Sequence, residues 1–248
     1  MVRNILAIFA LIILLDVQIL PQEIQLTAEQ ILSKVDDVVN APGDQELKIK
    51  LVLIDSKGRE EEREIVMYQK GSNRRLAKFI SPAPQKGIGV LSLPNDVMYL
   101  YLPAFKKTRR IASHIKNTKF SGTDFTYEDM EAIRYSEKYD PEILEKEENF
   151  FVLQLKPKKD VKTDYSKLVL WVRSSDFYPT KIEYYDKANR LYKVMRRDKI
   201  EKVGKYLISK ESEMEDLKEN HRSRMIIIDA KFDSGLSDEI FTERYLIR

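Results

Sequence analysis

The chain has 248 residues, with 43% hydrophobic and 33% charged side chains. That balance supports a real core under a highly charged surface and excludes global disorder. The net charge is only +3, thinner than the basic excess of a nucleic-acid binder, so no nucleic-acid partner is expected. There is no cysteine, which removes disulfides, thiolate metal sites and cysteine nucleophiles, and any histidine chemistry must use His114 or His221.

Taken in chain order, the first element is a charge-free run, "ILAIFALIILL", at residues 5–15, preceded by Arg3. Eleven apolar residues are too few to cross a bilayer comfortably and match the core of an export signal. Residues 1–21 are read as that signal, either cleaved or kept as an inner-membrane anchor. Residues 22–248 are read as one working domain outside the cytoplasmic membrane. "TAEQILSKVDDVV", 27–39, is predicted to be an amphipathic helix, with Thr27 as N-cap and Gln30 completing a capping box. "APGD" at 41–44 stops it.

The period then changes to two. In "ELKIKLVLI", 46–54, Leu47, Ile49, Leu51 and Leu53 alternate with charged residues. Further strands are predicted at 63–68, 75–80, 88–93, 97–102, 133–139, 150–156, 167–173, 180–185, 191–198, 206–214 and 224–232. The expected architecture is mainly β, one long antiparallel sheet with a single substantial helix. One helix cannot cover the inner face of so many strands, so a hydrophobic ligand is expected to meet the remainder, in a cavity between sheet and helix.

The central block carries a resemblance. Pro82 and Pro84, Lys86-Gly87, "DVMYLYLP" at 96–103, Lys107, Arg109-Arg110-Ile111 and "FSGTDFTYED" at 120–129 resemble the outer-membrane lipoprotein-sorting family, the LolA-like carriers. The branch found beside RND/MMPL-type exporters is the more similar one. "GLSDEIFTERYL", 235–246, resembles the family's closing segment. The resemblance implies a half-open antiparallel β-barrel wrapped around a helix, with a hydrophobic cavity. It implies a monomeric periplasmic carrier rather than an enzyme, with no cofactor and no metal. Its partners would be an acylated lipoprotein or lipid as cargo and an RND/MMPL-type or ABC-type transporter. Because the chain lacks the lipid-attachment cysteine of the family's outer-membrane acceptor, a soluble carrier is the better analogue. The alternatives are an exporter subunit with no cargo cycle and, more remotely, an envelope hydrolase using Asp124 and Asp129.

Candidate cavity residues are Leu47, Ile49, Leu51, Met98, Leu100, Leu102, Phe120, Phe125, Trp171 and Ile182. Met98 and Trp171 stand out because Met adapts to varied ligands and Trp offers broad contact. "FSGTDFTYEDM" reads as a lid at the cavity mouth. Gly122 is its hinge, Asp124 is its latch or cap, with Asp124 or Thr126 capping a short helix beginning near Tyr127, and the aromatic residues give it apolar weight. On that reading Asp124→Asn should be almost neutral, since asparagine also caps. Lys106, Lys107, Arg109 and Arg110 form a basic loop, either simply solvated or a contact for anionic head groups or a partner. His114 and His221 are expected on exposed loops.

Overall fold

A computed structural model describes residues 26–248, so the signal read at 1–21 lies outside the described residues. The first helix, α1 (Ala28–Val39), starts at the capping box expected of it. Thr27 N–H donates to Gln30 Oε1 at 2.9 Å, and Gln30 N–H donates back to Thr27 Oγ1 at 3.3 Å. Its apolar face, Ile31, Leu32 and Val35, is fully buried.

Thirteen strands follow: β1 (Asp44–Ile54), β2 (Glu60–Lys70), β3 (Arg74–Ser81), β4 (Gly89–Leu93), β5 (Val97–Leu102), β6 (Lys107–Arg110), β7 (Tyr139–Lys146), β8 (Phe150–Pro157), β9 (Lys167–Arg173), β10 (Pro179–Tyr185), β11 (Leu191–Val203), β12 (Tyr206–Asp216) and β13 (His221–Phe232). They form one antiparallel sheet in the order β6-β5-β4-β3-β2-β1-β13-β12-β11-β10-β9-β8-β7. Two meanders therefore meet at the β1–β13 pair, where Ile49 lies opposite Ile227 and Leu51 opposite Met225. The sheet curls into a half-open barrel whose inner face carries one continuous core, from Met98 of β5 to Leu155 of β8.

This order has a topological consequence. β6 and β7 are consecutive in the chain yet occupy opposite edges of the sheet. The 28 or so residues between them cannot take a short turn. They run across the inner face, and their buried Ile111, Phe120 and Phe125 join the core there. We call residues 111–134 the strap.

Two elements differ from the expectation. Residues 107–110 are an edge strand rather than a loop, pairing on one side with Tyr99–Leu102 of β5. A short, charged edge of this kind resists pairing with other chains. Residues 133–139 are not a strand: a helical turn, α2 (Tyr135–Lys138), comes before β7. The buried Asp36 carboxylate of α1 accepts the N–H groups of Tyr135 (2.7 Å) and Ser136 (2.9 Å), fixing that turn where alternation suggested extension.

The opposite face of β3 and β4 is covered by the C-terminal segment. Asp44 accepts the N–H groups of Ser234, Gly235 and Leu236 at 2.8–3.0 Å, turning the chain back over the sheet. Phe241 and Leu246, the latter in α3 (Glu243–Leu246), then pack on Leu76 and Leu91. The approach is close enough that a Cβ on Gly89 would sit 2.9 Å from Leu246 Cδ1.

Candidate functional site

The strap folds back on itself at the segment "KFSGTDFT". Phe120 N–H donates to Phe125 O at 2.8 Å and Thr123 N–H to Phe120 O at 2.9 Å. Ser121 and Gly122 adopt positive φ (49° and 77°) to make the turn. Gly122 is the natural occupant, since a side chain there is strained by the backbone alone. Phe120 stacks on Phe79 of β3 at 5.3 Å and meets Tyr127 at 5.9 Å. The segment is thus driven into the barrel rather than perched at its mouth.

Three anchors hold the strap down. Lys116, itself buried, donates to Glu131 Oε1 at 2.5 Å and Asp96 Oδ1 at 2.7 Å. Asp129 Oδ2 accepts from Thr126 N–H (2.7 Å) and from Lys193 Nζ of β11 (2.5 Å), while Oδ1 accepts from the Tyr165 hydroxyl (2.7 Å). Asp124 is fully buried. Its Oδ2 accepts from Ser223 Oγ at 2.7 Å and lies 2.6 Å from His221 Nδ1; its Oδ1 accepts from Lys119 Nζ at 3.1 Å; and its own N–H donates to Ser223 Oγ at 2.9 Å. Asp124 therefore caps no helix. It pins the strap to β13, and the local turn is closed instead by Thr126 and Asp129. His221 is correspondingly no loop residue but the first residue of β13, whereas His114 sits exposed in a 3-10 turn, as expected.

Between strap and sheet lies a cavity of about 240 Å³. A buried apolar cavity of about 150 Å³ already admits benzene. Leu47, Ile49 and Leu51 of β1, Met225 and Ile227 of β13, and Phe120 and Phe125 of the strap line it. The cavity thus sits where the two meanders meet. From α1 only Val39 reaches it, so the strap, more than the helix, forms the opposing wall.

Five of the ten residues expected at the cavity line it: Leu47, Ile49, Leu51, Phe120 and Phe125. Met98 and Ile182 are fully buried in packed core, and Leu100 is half-buried against that core, all three away from the cavity lining. Leu102 is half-buried at the end of β5. Trp171 is out of phase with the core residues Leu168, Leu170 and Val172, and the Lys181 ammonium lies 3.8 Å from its ring centroid. Of the lid residues, Asp124 is buried, Tyr127 half-buried and Gly122 exposed. Lys106, Lys107, Arg109 and Arg110 are all exposed, with no ion pair to a described carboxylate, beside Phe105, which is 63% exposed.

The sequence reading missed the polar groups facing the cavity. Arg75 of β3 shares a face with Ala77 and Phe79, and Arg197 of β11 shares one with Met195. Both arginines line the cavity. Cations in phase with core residues were the available signal. Among the described residues no group of three His, Asp or Glu side chains could hold a metal ion.

Glu128 on the strap faces a second, adjoining cavity of about 110 Å³. Burial, reinforced by the charges of Asp129 and Glu131, pushes its carboxyl up to about 7. Below the ordinary carboxylate range both folded and unfolded chains hold the proton. Between about pH 4.5 and 7 the unfolded chain ionises first, so Glu128 lowers stability as pH rises through that window, by up to about 3 kcal/mol. Glu128→Gln should abolish that component. The check is the urea midpoint of both proteins from pH 4 to 8; parallel curves would mean the carboxyl is solvated and unshifted.

A curled antiparallel sheet, an apolar cavity on its inner face and a strap anchored across it define a LolA-like fold. A family model described only as uncharacterized-protein-like matches residues 71–248, and the chain belongs to that family. Among solved structures, an outer membrane lipoprotein-sorting protein domain from Vibrio parahaemolyticus is 25% identical with a TM-score of 0.81, covering 89% of this chain and 100% of that one. A DUF1329 family protein from Desulfovibrio piger is 26% identical with a TM-score of 0.83, covering 88% and 97%. A LolA superfamily protein from Nitrosomonas europaea, 23% identical with a TM-score of 0.76, shares the fold over 89% and 100%. No curated protein matches the sequence significantly.

Proposed function

We propose that the protein is a periplasmic carrier that shields the acyl chain of a lipoprotein or lipid during envelope transport. The observation that carries this is the apolar cavity between strap and sheet. Each methylene taken out of water there is worth about 0.8 kcal/mol, so a chain is held without strong polar bonds. An exporter subunit with no cargo cycle would have no use for such a cavity. A hydrolase using Asp124 and Asp129 is disfavoured by their surroundings. Each carboxylate is paired with a lysine; Asp124 is fully buried and accepts from Ser223, which is thereby turned away from His221, and Asp129, although it lines the cavity, has its two oxygens taken by Lys193, Tyr165 and Thr126.

The exposed cations around Phe105 are read as the contact with an anionic membrane, next to which an RND/MMPL-type or ABC-type transporter would release or receive cargo. One assay tests both halves: transfer of a fluorescent acylated ligand to anionic vesicles. Ile227→Trp, which fills the cavity, should cut loading at least tenfold with little change in melting temperature. Arg109→Glu with Arg110→Glu should load normally but transfer several-fold more slowly, a defect that shrinks as salt rises. Undiminished loading by Ile227→Trp would remove the carrier reading. Undiminished transfer by the charge reversal would leave the four cations as plain solvated surface.

A further inference from the structure

Buried cations in this protein are mostly answered by carboxylates. Lys193 meets Asp129, and Lys116 meets Glu131 and Asp96. Two guanidiniums on the inner face depart from that pattern. Arg75 and Arg197 both line the larger cavity and its neighbour, and neither has a carboxylate within ion-pair distance among the described residues. Burial holds Arg75 down at about 10, and the charge of Arg197 adds to that, so the two are close enough to repel while both stay charged at neutral pH.

Their hydrogen bonds differ. Arg75 is largely committed: Nε and Nη2 donate to Gln69 Oε1 at 3.0 and 2.6 Å, and Nη1 to Glu131 O at 2.9 Å. Arg197 has one longer bond, Nη1 to Pro179 O at 3.3 Å, with the Tyr135 hydroxyl beside it. Most of its fork is left without a protein acceptor. Both arginines are half-buried on the inner face, where two like charges repel more than in bulk water unless an anion joins them, and a guanidinium fork matches the oxygens of a carboxylate or phosphate. Apolar wall continues away from them along Leu47, Leu51 and Ile227.

Building on the carrier reading, we propose that the cavity takes a single-chain anionic amphiphile head-first, its carboxylate or phosphate held by Arg197 with Arg75 alongside and its alkyl chain against β1 and β13. Titration calorimetry at pH 7.5 with dodecanoate, dodecyl phosphate, dodecanol and inorganic phosphate tests it. The two charged amphiphiles should bind at least tenfold more tightly than dodecanol, and inorganic phosphate far more weakly than dodecyl phosphate. Arg197→Gln should reduce dodecanoate to the affinity of dodecanol while leaving dodecanol binding unchanged, and Arg197→Lys should restore part of the difference. If Arg197→Gln does not fold, the head-group comparison in the wild-type protein decides the matter. Equal binding of dodecanoate and dodecanol would overturn the head-first assignment and leave the carrier reading standing. Inorganic phosphate binding as tightly as dodecyl phosphate would overturn it too, by making the site one for a free anion. Failure of all three chain-bearing probes would bring down the carrier reading itself.

Discussion

Lys193→Met is expected to cost about 3–5 kcal/mol of folding stability, the scale on which breaking one side of a buried ion pair falls. Lys193 is only 1% exposed. Its ammonium lies 2.5 Å from Asp129 Oδ2 and 2.8 Å from the Tyr165 hydroxyl, with the Tyr184 ring centroid 4.9 Å away. Methionine would fill the space but leave the Asp129 carboxylate, tied to the strap turn, without its cation. Burial and the Asp129 charge hold the Tyr165 hydroxyl well above its ordinary pKa, so it stays protonated and keeps donating to Asp129 Oδ1, but a neutral donor cannot replace the lost positive charge. Urea denaturation followed by circular dichroism gives the magnitude. Lys193→Met combined with Asp129→Asn should recover a good part of the loss, because the orphaned charge is then gone. A single-variant loss under about 1 kcal/mol would show that water reaches Asp129 and that the pair contributes little.

How much of this was legible in the sequence depends on how local each cause is. The capping box of α1 and the alternation of β1 are written within a few residues, and both elements form where that pattern places them. β6 has no alternation to read, since "KTRR" is a strand only because β5 offers it a partner. The turn at Tyr135 depends on a carboxylate about a hundred residues earlier in the chain. The cavity shows a similar division. Parity along a strand tells which residues point inward, and so found Leu47, Ile49 and Leu51. It does not tell which inward residues meet a void and which meet packed neighbours, and Met98 and Ile182 fell on the packed side. Trp171 was readable by parity, since in "KLVLWVR" it falls in phase with Lys167 and Arg173 and out of phase with the core residues Leu168, Leu170 and Val172. Arg75 and Arg197 were readable by parity, being cations in phase with Ala77 and Met195, but their missing counter-charges are visible only in three dimensions.

Asp124 is the residue at which the structure changes an expected outcome. As a helix cap it should tolerate asparagine. As the pin between strap and β13 it should not. Its two oxygens serve three donors, Ser223 Oγ at 2.7 Å, the His221 ring at 2.6 Å and Lys119 Nζ at 3.1 Å. Asparagine keeps one acceptor oxygen and replaces the other with an NH₂ group, which would face either Lys119 or the Ser223–His221 pair, donor against donor. Lys119 has two other carboxylates, Asp216 at 2.9 Å and Glu219 at 2.7 Å, so it is not orphaned. Ser223 is fully buried and has no such alternative. Asp124→Ala should therefore cost about 3 kcal/mol and Asp124→Asn at least half of that, the scale of removing charge-assisted bonds from buried partners. The protein should stay folded while the strap loosens first. Hydrogen exchange should then quicken at the amides of Phe120, Thr123 and Asp124, whose bonds close the turn, more than at the central strands β1 and β13. A bound acylated probe should leave several-fold faster from both variants, because the strap is one wall of the cavity. If Asp124→Asn matches the wild-type protein within about 0.5 kcal/mol and exchanges no faster at the turn, the negative charge is dispensable and the capping account of this residue returns.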